Sequence, residues 1–124
     1  MIAVDSSTLL AFLAGDEGRD VDWLDQALVL KQAVLPPVVL TEVLSAPELD
    51  RETADLVRDL PVLDIRSGFW ERAAETRGRI LSKRLRARLA DTLIAQTCID
   101  HHVPLVTRDR DFRHFSAHAG LDLL

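Results

Sequence analysis

Four carboxylates occupy positions that a solvated surface does not require. Asp5 ends the apolar run Ile2-Ala3-Val4. If that run is a strand, Asp5 stands just beyond its carboxyl end, where open α/β sheets bind ligands; capping the next helix is the plainer role. Glu42 lies in Val39-Leu40-Thr41-Glu42-Val43-Leu44, and its helical neighbours Val38, Val39, Ser45 and Ala46 make a small, apolar face. A carboxylate aimed inward there is costly unless it meets a cation, although an edge position that reaches water would relieve it. Asp91 shares its face with Ile94, Ala95 and Cys98 and falls in a helical first turn, where the macrodipole favours an anion. Asp109 follows Leu105-Val106-Thr107 and belongs at the same sheet edge as Asp5, with Asp111 two residues on as a substitute. Thr107 could hydrogen-bond a substrate phosphate or simply cap the turn.

If the sheet gathers these acids, their repulsion raises the proton affinity of some of them, and a divalent cation removes the penalty. All-oxygen ligands select a hard ion, Mg²⁺ or Mn²⁺. Other chemistries fare worse. His101 and His102 are adjacent, and His114 and His118 lack an acid–histidine pattern, so zinc spacing is missing and the histidines read as surface residues. Cys98 reads as core packing, and one cysteine makes no internal disulfide. There is no glycine-rich phosphate loop, and Ser6 and Ser7 have no histidine placed by motif for nucleophilic catalysis.

The elements that must position the acids alternate. Strands are expected at Ile2 to Asp5, Ala33 to Leu35, Val62 to Ile65, Leu105 to Thr107 and Leu121 to Leu124. Between them fall helices. One is capped by Ser6 and Ser7 and stopped by Gly15, a second runs from Val21 to Gln32, and a third is opened by Pro36 and Pro37 and runs through Ser45. Others span Glu48 to Leu60, a stretch capped by Ser67 and running through Ile80, and Ala90 to His101. Such alternation implies one α/β domain, residues 1–124, with a mostly parallel sheet of about five strands.

The formal net charge of −5 argues against a polyanion partner, but its distribution does not. Residues 1–64 carry 4 Lys+Arg against 13 Asp+Glu, a net of −9; residues 65–124 carry 11 against 7, a net of +4. The basic residues concentrate between Arg72 and Arg88, where a solvated helix face is the plain reading and a nucleic-acid footprint the sharper one. The N-terminus lacks a basic signal-peptide region, and no apolar run approaches the ~20 residues of a membrane span, so a cytoplasmic protein is expected.

Four segments in order carry a family resemblance: Val4-Asp5-Ser6-Ser7, Thr41-Glu42-Val43-Leu44, Ala90-Asp91-Thr92-Leu93-Ile94-Ala95-Gln96-Thr97, and Pro104-Leu105-Val106-Thr107-Arg108-Asp109-Arg110-Asp111-Phe112. Over nearly its whole length the chain resembles PIN-domain ribonucleases, specifically the VapC-type toxins of toxin–antitoxin pairs. The resemblance implies a three-layer α/β/α fold and an acidic site that binds Mg²⁺ or Mn²⁺ and cuts RNA; attack of a metal-bound water in line with the 3′ oxygen would then leave 5′-phosphate and 3′-hydroxyl ends. It carries over Asp5, Glu42, Asp91 and Asp109 as metal-binding and catalytic acids, with Thr107, Ser6 and Asp111 supporting. It also implies a homodimer and a cognate antitoxin. Arg84, Arg86, Arg88 and Arg108 are then placed to steer an RNA backbone, by a force that weakens with salt. Two rivals stay open: a non-catalytic interaction module offering Trp23, Leu24 and Leu28, and a metal-dependent phosphatase-like α/β domain, though neither Lys31 nor Lys83 follows a strand.

Overall fold

Three short parallel strands occupy the centre of the computed structural model, which describes residues 1–124. They are β1 (Ile2–Val4), β2 (Ala33–Val34) and β3 (Leu105–Val106), in the order β2-β1-β3. Ile2 pairs with Ala33 and Ala3 with Val34 on one side of β1; Ala3 pairs with Leu105 and Val4 with Val106 on the other. The two outer strands that the sequence predicts shrink to single bridges, Leu35 to Val62 and Leu105 to Leu123. At Leu35 the cause is local: Leu35 donates to the Pro61 carbonyl and accepts from Leu63 N–H, and the next residue facing that segment, Pro37, has no N–H with which to continue the ladder.

Seven helices surround the sheet: α1 (Ser6–Leu13), α2 (Arg19–Val29), α3 (Pro37–Leu44), α4 (Arg51–Arg58), α5 (Phe69–Ser82), α6 (Leu89–His101) and α7 (Arg113–Ala119). A 3₁₀ turn, Arg110–Phe112, joins β3 to α7. The parallel strands are buried on both faces, so they read as continuous apolar runs. Val4, Leu35, Leu105 and Ile94 have no exposed surface, and the Phe112 and Phe115 rings, equally buried, tilt against each other with centroids 5.9 Å apart. Fully burying a side chain of this size stabilises by about 1.5–3 kcal/mol. Phe112 thus ties the end of the β3 segment to the core.

Several boundaries differ from expectation. Asp5, not a serine, occupies the cap position of α1, and its side chain makes no cap bond. The helix expected from Glu48 begins at Arg51, because the Asp50 carboxylate accepts the Thr53 N–H at 2.7 Å. The helix expected after Ser67 begins at Phe69; the Ser67 carbonyl instead accepts from Arg72 at 2.7 Å. α2 starts two residues early and ends at Val29, with Lys31 in the left-handed region. Unexpected was α7, a short polar helix held by the single buried anchor Phe115.

Candidate active site

The parallel register of β1 and β3 builds the first half of the site. Val4 opposes Val106, so the next residues, Asp5 and Thr107, emerge side by side at the carboxyl edge. Asp5 is 3% exposed, and one of its oxygens is well satisfied: Ser7 Oγ and Thr107 Oγ1 each donate to Oδ2 at 2.8 Å. A hydroxyl has one proton, so both are committed to Asp5, and the 3.2 Å approach of Ser7 to Thr107 is contact without a bond. Their lone pairs serve the backbone, Ser7 Oγ accepting from Arg108 N–H at 3.3 Å and Thr107 Oγ1 from Asp109 N–H at 3.0 Å. Asp5 Oδ1 is left with only a 3.5 Å contact from Ser6.

Helices bring the second half. Glu42 projects from α3, half-buried, with Val39 and Val43 on the buried side of the same helix. Asp91 lies in the first turn of α6, whose Ile94, Ala95 and Cys98 are core residues. Glu42 Oε1 and Asp91 Oδ2 are buried and have no hydrogen-bond partner. Burial pushes the Glu42 carboxyl above its ordinary range, a bond from Ser6 opposes the rise, and the Asp5 charge adds to it. Asp91 is pushed up from 3.8 to about 6, chiefly by burial and then by the charges of Asp109 and Asp5, with Arg88 opposing and Glu42 reinforcing.

The segment after β3 closes the group. Asp109 precedes the 3₁₀ turn and its Oδ1 accepts the Asp111 N–H at 2.9 Å. Carboxylate oxygens of Asp91, Asp109 and Asp111 lie within 4.8 Å of one another. Asp109 and Asp111, alternatives in the sequence, are therefore both present. The acids form two overlapping groups that share Asp91: Asp5, Glu42 and Asp91, which feel one another's charge, and Asp91, Asp109 and Asp111, close enough to hold one ion. The close trio of Asp91, Asp109 and Asp111, with unpaired buried oxygens on Asp91 and Glu42, fits a hard divalent cation by donor chemistry. Arg86 approaches this edge, with its guanidinium 3.7 Å from Asp111.

Of the other arginines singled out from the sequence, Arg84 and Arg88 lie exposed on the loop between α5 and α6, and Arg84 holds the left-handed conformation. Arg108 is engaged elsewhere, by Asp20 through Nε at 2.8 Å and Nη2 at 2.9 Å. Three residues important to the geometry escaped the sequence reading. The sequence offers Ser7 as a helix cap and as part of the first motif but not as a partner of Asp5, and it singles out neither Asp20 nor Gly18. The surface proposed for an interaction module is also changed: Leu24 has no exposure and Trp23 is half-buried, with the Arg19 guanidinium 4.8 Å over its ring. Cys98 is core, as expected, and burial lifts its thiol to about 12, which makes it unreactive.

Solved structures share this architecture. FitAcB from Neisseria gonorrhoeae superposes with a TM-score of 0.73 at 19% identity, covering 100% of this chain and 96% of that one. VapBC2 from Rickettsia felis, bound to a DNA fragment from its promoter, gives 0.73 at 19%, covering 100% and 98%. VapBC-5 from Mycobacterium tuberculosis, a member of the VapBC family of toxin–antitoxin systems, gives 0.70 at 23%, covering 99% and 96%. At these identities the likeness is one of fold. A family model described as PIN domain matches residues 2–117, which takes in both strand ends, α3, α6 and every acid of the cluster. The chain belongs to the PIN domain family.

Proposed function

We propose that the chain is a Mg²⁺- or Mn²⁺-dependent endoribonuclease and the toxin of a toxin–antitoxin pair. The observation that carries the nuclease reading is the pair of buried, partnerless oxygens on Glu42 and Asp91, set among other carboxylates. Uncompensated buried charge is expensive, and a cation is the compensation these groups lack. The toxin role leans on fold neighbours whose names describe a toxin–antitoxin complex or a member of a toxin–antitoxin family.

Asp5 Oδ1, Asp91 and Glu42 would hold a cation, and Asp109 and Asp111 would complete the shell or hold a second ion beside Asp91. When bound, the ion supplies charge against the negative phosphate of the transition state and acidifies an attacking water. Hydrolysis joins the water oxygen to phosphorus and breaks the bond to the 3′ oxygen, which leaves protonated. Ser7 and Thr107 hold Asp5 oriented by donating to Oδ2. Arg84, Arg86 and Arg88 offer charge along which an RNA backbone can lie. A cognate antitoxin, a second copy of the chain and a cytoplasmic setting belong to the same reading.

Purified protein, free of any partner, is incubated with a mixed RNA pool in Mg²⁺, Mn²⁺ or EDTA, beside Asp91→Asn. Cleavage that needs the metal and disappears in the variant is the expected result. Release of phosphate from a small ester would favour a phosphatase, and folded protein that cuts no RNA with either metal would overturn the reading.

A further inference from the structure

Arg108 stands in sequence between two site residues, yet its side chain is held by a different part of the fold. Its guanidinium makes a two-point pair with Asp20, in the first turn of α2, and donates a further bond to the Glu17 carbonyl at 3.2 Å. Asp20 is itself held, because Thr8 of α1, with no exposed surface, donates to its Oδ2 at 2.8 Å. The Asp20 side chain is only 14% exposed, unlike the carboxylate of an ordinary surface pair. The approach is so close that a Cβ on Gly18 would lie 2.6 Å from Asp20 Oδ1 and 2.8 Å from Arg108 Nη2. Gly18 also holds φ +153°, which residues with a side chain rarely adopt, so a substitution there would strain the backbone and push the pair aside.

The backbone of the same segment is fixed from the other side. Arg108 N–H bonds to Ser7, Asp109 N–H to Thr107, and Asp111 N–H to Asp109. The segment 107–111 is therefore held at its start by the hydroxyls beside Asp5 and by the carboxylate of Asp20, and at its far end by the buried Phe112 ring. Without Asp20 the Arg108 end of that segment keeps only its backbone bonds to the two hydroxyls, and Asp109 and Asp111 gain freedom next to it.

We propose that Asp20 is a positioning residue for the cation site. Through Arg108 it pins the segment that carries Asp109 and Asp111, and Gly18 leaves the room for that pin. The inference rests on reading the acids as a cation site. Asp20 touches neither the ion nor the substrate; it acts through Arg108.

The test is Mn²⁺ binding, by calorimetry with the metal alone, on the full chain and on Asp20→Asn, Arg108→Gln and the double variant. Each single variant is expected to bind Mn²⁺ about tenfold more weakly, the low end of what supporting residues at metal sites provide. The double variant should lose no more than either single one, because both cut the same link. On RNA, kcat should fall with KM unchanged, and Arg108→Lys, which keeps a cation facing Asp20, should restore part of the loss. Mn²⁺ affinity within twofold of the parent in both single variants would overturn the proposal, as would losses that add or a double variant that regains affinity. Should Asp20→Asn fail to fold, Arg108→Gln decides alone. A parent that binds Mn²⁺ but cuts no RNA removes the nuclease reading and leaves this inference standing on the binding data; a parent that binds no Mn²⁺ removes both.

Discussion

Asp91→Asn should make the metal-free protein more stable while abolishing its cleavage. The Asp91 carboxyl is shifted from 3.8 to about 6 by burial and by neighbouring acids. An acid with a raised folded pKa contributes most below its unfolded value, where both states are protonated. As pH rises from 3.8 toward 6 the unfolded chain gives up the proton first, and stability falls. Two pKa units correspond to about 3 kcal/mol at neutral pH. The carboxyl is only partly buried, so solvent screening lowers the expected cost to about 1–2 kcal/mol. Asparagine has nearly the same shape and no charge to strand. In EDTA at pH 7 its melting temperature should exceed the parent's by roughly 3–9 °C for a chain of this length. The gap should close as the pH drops below about 4, where the aspartate is neutral in both states. Added Mn²⁺ should raise the parent and leave the variant nearly unmoved, so the order narrows or inverts. The assay is a thermal melt across pH, with and without metal. A variant that melts below the parent in EDTA at pH 7, or a gap that does not change with pH, would refute the claim that Asp91 stores uncompensated charge.

Other perturbations probe the supports. Thr107→Val removes a donor from Asp5 and the acceptor of the Asp109 N–H, and should lower stability by about 1–3 kcal/mol in a urea titration with a larger loss of cleavage. Phe112→Ala empties a fully buried ring site beside Asp111 and should cost about 3–5 kcal/mol in the same measurement. The Arg72 guanidinium and the Gln96 amide both bond Asp100, and the Arg72 bond in particular holds its carboxyl below the usual range. Asp100→Asn should therefore cost about 1–2 kcal/mol at pH 7, since Arg72 is part-exposed, and the difference should shrink as the pH falls through the carboxylate's ordinary range and below. Arg84→Ala with Arg86→Ala should raise KM for RNA and flatten its dependence on salt, read from cleavage rates between 50 and 200 mM salt, the range over which backbone contacts are lost.

The residues readable in advance were those whose surroundings are local in sequence. Glu42 and Asp91 betray themselves because the residues one turn away are apolar, and Asp5 and Asp109 because each ends an apolar run. Those signals survive folding. What could not be read depends on contacts distant along the chain. Asp20 sits among Asp16, Glu17, Asp22 and Asp25 and has nothing in its neighbourhood to mark it; its partner lies 88 residues on. Ser7 next to Asp5 looks like a cap until β3 delivers Thr107 to the same oxygen. The outer strands are overdrawn because an apolar run such as Val62-Leu63 looks alike whether it pairs once or several times, and the count is decided by Pro37 on its neighbour. α7 was missed because a seven-residue polar helix with one buried anchor has no periodic pattern to detect.

The pairing of β1 with β3 has a bearing on how the protein assembles. Asp5 N–H donates to the Val106 carbonyl at 3.0 Å, in the last rung before the two chains part. A slip of one residue in that short ladder would turn alternate side chains to the opposite face and carry Asp5 away from Thr107. The native register of these two strands is thus also what brings Asp5 and Thr107 together. The hydrogen-bonded amide of Asp5 is therefore a reporter for the strand half of the site: its protection from exchange during refolding should rise when β1 and β3 pair and Asp5 meets Thr107.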